Sequence, residues 1–289
     1  MILKERNLPD PWRTDIRSPM IHVDGNIYAK LETSNPTGSV KDRLIQHIVK
    51  KAISEKQINS DTVFVEATSG NTGISLSAIA AALGLKAKII MPENMSEERR
   101  QMMRAFGAEI IEVAHSDFSG AIELRNKLVS SSSDHWSPMQ FENLENVECH
   151  RKLTAPEIIN QLGRLTFSAF VSGAGTGGTI MGVRKAVLDR KLSTRMVLVQ
   201  PAEDAKSHGI QGINDGADFL AKPDLLDVQI RVTTADAIQR AKRFARTRGI
   251  LIGISAGANL CAAEKYEQIY KPQGAIVTML CDRGERYLS

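Results

Sequence analysis

The sequence of 289 residues has few cysteines, little net charge and no long apolar run. Its three cysteines, Cys149, Cys261 and Cys281, are far apart and lack metal-binding or redox spacing, which argues against a disulfide framework and indicates a reducing cytoplasm. No stretch of about 18 apolar residues predicts a transmembrane helix, and residues 1–6 lack the apolar core of a signal peptide. A net charge of +4 does not indicate a nucleic acid or a membrane as partner.

Short apolar runs alternate with amphipathic or alanine-rich stretches. The predicted strands are residues 63–65, 87–91, 109–113, 167–171, 196–199 and 275–280. The predicted helices are residues 74–83, 97–105 with Ser96 as cap, 118–130, 179–191, 236–248 and 256–270. Such alternation predicts parallel sheets covered by helices. Because two series flank irregular sequence near residues 131–146, we predict an α/β fold with two three-layer α/β domains and mostly parallel, twisted sheets.

A turn rich in proline and glycine precedes Lys41. The segment reads Asn35-Pro36-Thr37-Gly38-Ser39-Val40-Lys41-Asp42-Arg43, and Lys41 is predicted to open a helix. Burial and nearby backbone N–H groups favour the neutral amine that a lysine nucleophile requires. Taken alone, the turn also fits an ordinary solvated lysine.

A second candidate loop follows the first predicted strand and precedes a helix. It reads Glu66-Ala67-Thr68-Ser69-Gly70-Asn71-Thr72-Gly73, so hydroxyl and amide side chains meet the N–H groups of a helix start. This combination is typical of an anion site. An ordinary strand-to-helix turn with a capping hydroxyl is the equally weighted alternative.

A glycine-rich loop, Ser172-Gly173-Ala174-Gly175-Thr176-Gly177-Gly178-Thr179, again joins a predicted strand to a helix. Its glycines let the backbone wrap closely around a phosphate. The loop also fits the pattern G-x-G-x-x-G, but a dinucleotide site would carry an acid after the next strand, where Val199-Gln200-Pro201 stands. No Walker-type Gly-Lys-Ser/Thr supports a nucleotide-hydrolysing site.

Two more segments stand where strands are predicted to end. They read Gly253-Ile254-Ser255-Ala256-Gly257 and Leu280-Cys281-Asp282-Arg283-Gly284-Glu285-Arg286-Tyr287. Cys281 taken alone fits a small buried apolar residue better than a functional thiol.

Together these motifs resemble cysteine synthases, the O-acetylserine sulfhydrylases of pyridoxal-phosphate (PLP) fold type II, over nearly the whole chain. Residues 35–43 resemble the cofactor-lysine motif, residues 68–73 the substrate loop and residues 175–179 the phosphate cup. Residues 140–143 and 155–158 resemble the segment after the family's mobile subdomain, and residues 211–213 also match. The ending Cys281-Asp282-Arg283-Gly284 is most similar to the B isozyme, whose members can accept thiosulfate.

The resemblance implies roles for individual residues. Lys41 is expected to hold PLP as a Schiff base and to act as the catalytic base. The expected cofactor-binding residues are Lys41, Asn71, Gly175, Thr176, Gly177, Gly178 and Thr179, with Cys281 expected at the ring nitrogen and Ser255 as the rival candidate. The expected substrate-binding residues are Thr68, Ser69, Gly70, Thr72 and Gln140. No metal site is expected.

The resemblance also implies the activity and the organisation of the protein. We expect a cytoplasmic homodimer that makes L-cysteine from O-acetyl-L-serine and sulfide or thiosulfate, with docking of a serine acetyltransferase left open. The smaller N-terminal domain, with the mobile substrate-loop subdomain, is expected at residues 37–146. The larger domain, which binds the PLP phosphate, is expected at residues 1–36 and 147–289.

Departures from the family pattern leave the dimer contacts and the substrate open. Ile16-Arg17-Ser18-Pro19-Met20 replaces Gly-Asn-Thr-Pro-Leu, Ala256 replaces a serine, and the chain stops shortly after Tyr287. Related β-replacement enzymes use O-phosphoserine, an amine or homocysteine, and a PLP-dependent dehydratase deaminates serine or threonine. A catalytically silent binding protein is a further alternative, against which the intact Lys41 argues.

The segment 209–220 bears on the leaving group. It contains no arginine or lysine and carries Asp215 and Asp218. Because a phosphate dianion favours a bidentate guanidinium, we expect O-acetylserine to be preferred over O-phosphoserine unless Arg17 or Lys206 supplies a cation from outside the segment.

Overall fold

The computed structural model describes residue 3 and residues 8–68, 70–204, 209–210 and 220–288. Within these residues the strands are β1 (Met20–Asp24), β2 (Ile27–Leu31), β3 (Val63–Ala67), β4 (Lys86–Pro92), β5 (Glu109–Val113), β6 (His135–Trp136), β7 (Phe167–Gly173), β8 (Arg195–Pro201), β9 (Val228–Val232) and β10 (Ala275–Leu280). The α-helices are α1 (Lys41–Ser54), α2 (Asn71–Leu83), α3 (Glu97–Ala105), α4 (Phe118–Ser131), α5 (Glu145–Cys149), α6 (Ala155–Leu162), α7 (Gly178–Asp189), α8 (Thr234–Arg248) and α9 (Ile254–Tyr270).

The chain forms two compact units. The first comprises residues 1–16 and 41–139, and the second comprises residues 17–40 and 140–289. The expected smaller domain runs from residue 37 to residue 146, whereas the first unit runs from 41 to 139 and also includes residues 1–16, which we expect from the sequence in the larger domain.

The first unit contains a parallel four-stranded sheet in the order β5-β4-β3-β6. Successive residues of a strand point to opposite faces, and the two cores follow this alternation. Phe64 and Ile89 pack on one face with α1, α2 and α3. Val65 and Ile90 pack on the other face with Ala121 of α4. The unit therefore has three layers, with helices on both faces of its sheet.

The second unit contains a six-stranded sheet in the order β1-β2-β10-β7-β8-β9. All its pairs are parallel except β1 with β2. Val171 and Ile276 pack with α8 and α9, whereas Phe170 and Val277 pack with α6 and α7. This unit also has three layers, which confirms the predicted α/β fold with mostly parallel sheets.

Several predicted element boundaries agree closely with the structure. The predicted strands 109–113 and 275–280 coincide with β5 and β10. Gly84 ends α2 in the left-handed conformation, with φ of 70°, as its predicted capping role requires. Ser96 stands at the N-cap of α3 but makes no capping side-chain hydrogen bond, so that part of the prediction is wrong.

Five features were not predicted from the sequence: the hairpin formed by β1 and β2, the strands β6 and β9, and the helices α5 and α6. The segment 131–146, taken as irregular, contains β6 and the first residues of α5. No helix in the described part of the chain is long and apolar enough to cross a membrane.

Candidate active site

Lys41 is the first residue of α1 and is half-buried. The turn before it belongs to the second unit and is fixed by hydrogen bonds. The side-chain Nδ2 of Asn35 donates to Ser39 O at 2.9 Å and to Glu32 Oε2 at 2.5 Å. The N–H of Val40 donates to Cys281 O at 2.8 Å. The backbone that leads into Lys41 therefore has one defined conformation.

Within the first unit, α1 and α2 are joined at their N-terminal turns. The hydroxyl of Ser75 donates to Asp42 Oδ1 at 2.5 Å, and both side chains are buried. Ser75 lies one turn after Asn71, the first residue of α2. Lys41 and Asn71 thus open two helices that are packed side by side, so the structure brings these two candidates together.

The predicted substrate loop lies between β3 and α2. Thr68 and Thr72 are buried, and the Thr68 hydroxyl accepts a hydrogen bond from Gly70 N at 3.1 Å. The N-terminus of α2 favours an anion at this loop. Ser69 lies outside the described residues. Thr68, Gly70, Asn71 and Thr72 are therefore clustered at the carboxyl end of β3, where ligands bind in parallel sheets.

Arg99 is a residue at this loop that the sequence interpretation missed. It is 2% exposed, and a Cβ atom on Gly70 would lie 2.4 Å from its Cδ and 2.8 Å from its Nε. The guanidinium group therefore lies against the substrate loop. A usable signal was the pair Arg99-Arg100 in the first turn of a helix, because the helix dipole disfavours cations there.

In the second unit, the glycine-rich loop lies at the carboxyl end of β7 and at the start of α7. Gly177 has φ of 88°, and a Cβ atom there would lie 2.2 Å from the backbone N of Ala221. A Cβ atom on Gly178 would lie 1.8 Å from Asn146 Oδ1. Only glycine fits these two positions, and the resulting cradle at a helix N-terminus suits a phosphate group.

Asn146 links the cradle to Gln140, another predicted site residue. Its Nδ2 donates to Gln140 O at 2.9 Å and to Thr176 Oγ1 at 2.9 Å. The hydroxyl of Thr179 lies 3.1 Å from His150 Nε2. Asn146 thus joins Gln140 to Thr176, while Thr179 has a separate partner in His150, and neither Asn146 nor His150 was predicted from the sequence.

Cys281 and Ser255 lie near the carboxyl end of β10 and the start of α9. Asn259 of α9 is fully buried, and its Nδ2 donates to Met279 O at 2.9 Å and to Cys281 Sγ at 3.5 Å. Its Oδ1 accepts from Gly173 N at 2.8 Å. Asn259 therefore ties Cys281 to the start of the glycine-rich loop. The sequence interpretation missed it, although an amide in an alanine-rich helix is a visible signal.

The cysteines of the described chain are all free thiols. Burial, with a contribution from Glu264, raises the pKa of Cys261 to about 11. Its thiol is therefore protonated at neutral pH and is not a candidate nucleophile. Among the described residues, no group of three or more histidine, cysteine or acidic side chains could hold a metal ion.

Comparison with known proteins identifies the family. The family model described as "Pyridoxal-phosphate dependent enzyme" matches residues 12–282. The chain is 42% identical to cysteine synthase B of Campylobacter jejuni over 286 residues, which cover 94% of each protein.

Two solved structures resemble the chain along most of its length. A hydrogen sulfide-producing enzyme of Fusobacterium nucleatum is 35% identical with a TM-score of 0.87, over 94% of this chain and 96% of that one. An O-acetylserine dependent cystathionine beta-synthase of Helicobacter pylori is 33% identical with a TM-score of 0.87, over 100% of this chain and 97% of that one. The resemblance to cysteine synthases is confirmed, and the chain belongs to the pyridoxal-phosphate dependent enzyme family.

Proposed function

We propose that this chain is a PLP-dependent cysteine synthase, which makes L-cysteine from O-acetyl-L-serine and sulfide. The observation that carries the proposal is Lys41 at the first residue of α1, after a hydrogen-bonded turn, in a chain 42% identical to cysteine synthase B.

The described residues fit the cofactor. The cradle formed by Gly177 and Gly178 at the start of α7 would hold its phosphate, together with Gly175, Thr176 and Thr179. Lys41 would bind its reactive carbon through Nζ, and Asn71 would donate to its ring oxygen. When bound, the cofactor supplies an electron sink that delocalises the charge left by proton removal at the α-carbon.

For the ring nitrogen, we favour Ser255 over Cys281. Ser255 is 6% exposed, and no hydrogen-bond partner for its hydroxyl is found among the described residues. The Cys281 sulfur already accepts from Asn259 and lies 3.7 Å from Met279 O. The Ser255 hydroxyl is therefore available to donate to the ring nitrogen, whereas the Cys281 thiol is already engaged by Asn259.

The protein's own groups would then bind the substrate and move one proton. Thr68, Thr72 and Gln140, with Ser69, would hold the substrate carboxylate. Once the substrate amine has replaced Nζ of Lys41 at the reactive carbon, the freed amine of Lys41 would take the proton from the α-carbon, after which acetate would leave the β-carbon with the bonding electron pair. Sulfide adds to the β-carbon, and Lys41 returns a proton to the α-carbon.

The proposal also includes thiosulfate as an alternative nucleophile and docking of a serine acetyltransferase. It further includes a homodimer and a cytoplasmic location. The assignment of residues 37–146 as the smaller domain with a mobile part belongs to it as well. The free cysteines support a reducing compartment.

Product analysis tests the proposed function. Purified protein with PLP, O-acetylserine and sulfide should release cysteine and acetate in equal amounts, with little pyruvate or ammonia. Pyruvate and ammonia as the main products would instead indicate a dehydratase-type reaction.

Cystathionine formation is a second candidate, favoured by the likeness to the Helicobacter pylori enzyme over the whole chain. Replacing sulfide by homocysteine in the same assay separates the two candidates. A higher kcat/KM with homocysteine than with sulfide would favour the second.

A further inference from the structure

A cavity of about 830 Å³ lies in the second unit, away from the candidate active-site residues. It opens at the amino-terminal ends of β7 and β8, whereas the glycine-rich loop follows the carboxyl end of β7. Phe167 and Gly173, the first and last of the seven residues of β7, separate the two places by roughly 20 Å. The cavity volume lies within the range of small-molecule sites, about 300–1,000 Å³.

The charges that line this cavity have one sign. Arg164, Lys191 and Arg195 line it, and no acidic side chain is found among the described lining residues. None of the three cations has a carboxylate partner within the part of the chain that the structure describes. Three cations gathered without a counter-ion raise the local positive potential, which favours an anion.

A buried tyrosine supplies a further polar group without a protein partner. Tyr266 is 2% exposed and stacks on Tyr270, with ring centroids 4.7 Å apart. Its hydroxyl makes no hydrogen bond with a described residue and is not among the enclosed polar atoms, so it is accessible at the cavity lining. Burial raises the pKa of Tyr266, Tyr270 and Asp227 raise it further, and Arg195 opposes them. The phenol therefore stays protonated and can donate to a ligand.

Apolar groups complete the lining. Leu162 and Phe167 are buried at the cavity, while Leu165 and Leu192 are 48% and 38% exposed at its edge. An inorganic ion would leave these side chains in contact with water. A second copy of the chain placed here by two-fold symmetry would bring the same cations face to face, which is unfavourable.

We infer that this cavity is a second ligand site, which binds a small organic anion with an apolar body. The anionic group lies among Arg164, Lys191 and Arg195, and it accepts a hydrogen bond from the Tyr266 hydroxyl. The apolar body covers Leu162, Leu165 and Leu192. The site does not depend on the proposed reaction, and the substrate does not compete for it.

The test uses two dyes that differ in charge. 8-Anilinonaphthalene-1-sulfonate carries a sulfonate, and N-phenyl-1-naphthylamine is its uncharged analogue. Equilibrium dialysis of the PLP-loaded protein against each dye should show the sulfonate bound at one site per chain, roughly tenfold more tightly than the neutral dye, because its anion meets the cations. Saturating O-acetylserine should leave this binding unchanged.

Matched charge variants identify the site. Arg164→Gln/Arg195→Gln should remove the preference for the sulfonate. The control is the double variant Arg243→Gln/Arg246→Gln, which also removes two positive charges, but from the groove between α8 and α9. It should still bind the sulfonate more tightly than the neutral dye. Tyr266→Phe, which keeps the ring, should weaken sulfonate binding about threefold through the lost hydroxyl. Thermal unfolding of each variant verifies that it is folded.

Four results would overturn the inference. The first is equal affinity of the wild-type protein for both dyes, and the second is displacement of the sulfonate by O-acetylserine. The third is an unchanged sulfonate preference in the Arg164→Gln/Arg195→Gln variant, and the fourth is an unchanged sulfonate affinity in Tyr266→Phe.

Discussion

Gly177 faces the backbone of Ala221 so closely that a Cβ atom on Gly177 would lie 2.2 Å from the Ala221 nitrogen. Gly177 also has φ of 88°, which disfavours a side chain regardless of space. The start of α7 therefore packs directly against the chain at Ala221, which leaves no room for a side chain on Gly177. This close approach is what we expect where a protein wraps a phosphate group.

Replacement of Gly177 by leucine should weaken PLP retention by at least tenfold, because the side chain must displace the Ala221 backbone or enter the cradle. Equilibrium dialysis of PLP measures the effect. Gly249→Ala is the matched control, since Gly249 has φ of 67° but no atom within 4 Å of the added Cβ. If Gly177→Leu binds PLP as tightly as the control does, the phosphate lies elsewhere.

The Asn259 side chain bonds three groups near the carboxyl ends of β7 and β10, which are Gly173 N, Met279 O and Cys281 Sγ. Asn259→Leu leaves the half-buried N–H of Gly173 and the buried C=O of Met279 without these bonds. We expect a loss of about 1–3 kcal/mol in the free energy of unfolding for each group left unsatisfied. Urea denaturation measures the loss, and the absorbance of bound PLP should change as well because Cys281 loses its donor. Unchanged stability and an unchanged spectrum would show that Asn259 does not organise this part of the site.

Glu66 and Arg125 form an ion pair in the first unit, 3.3 Å apart, with both side chains fully buried. Glu66→Leu or Arg125→Met alone should lower the free energy of unfolding by about 3–5 kcal/mol, because each leaves a buried group without its charged partner. The double variant should lose less than the sum of the two. Arg104→Met, which breaks an exposed pair with Glu97, should lose about 0.5 kcal/mol or less. Additive losses in the double variant would contradict a direct coupling of Glu66 with Arg125.

The elements that the sequence predicted well have strong periodicity and clear end signals. The helix ending at Gly84 is an example, since an apolar stretch stops at a residue that tolerates positive φ. By contrast, β6 has two residues and is formed only through pairing with β3. Local sequence carries little information about such a strand. The hairpin of β1 and β2 was missed although Asp24-Gly25 at its turn is a usable signal.

The candidate residues were predicted from motifs, and the structure clusters those that share a unit. Residues that act through packing were not predictable in the same way. Arg99 reaches Gly70 across 29 positions, and Asn259 reaches Gly173 across 86, so neither contact leaves a local pattern. Such contacts depend on the sheet order, which places β7 beside β10.

The leaving group can be tested directly, although most of the relevant segment, residues 211–219, lies outside the described residues. Because the segment 209–220 carries two acids and no cation, an acetyl ester should be preferred to a phosphate dianion. We expect a higher kcat/KM for O-acetylserine than for O-phosphoserine at the same sulfide concentration. The opposite order would point to a cation supplied from another segment, with Arg17 and Lys206 as the first residues to substitute.

The central claim is that Lys41 binds PLP and that the protein replaces the β-substituent of O-acetylserine. The most direct measurement is the visible absorbance of the PLP-loaded protein before O-acetylserine, after it, and after sulfide is added. We predict a visible band that changes with O-acetylserine and returns with sulfide as cysteine is released, and no such band in Lys41→Ala. A wild-type band that O-acetylserine leaves unchanged, or a Lys41→Ala variant that retains both band and turnover, would contradict the account.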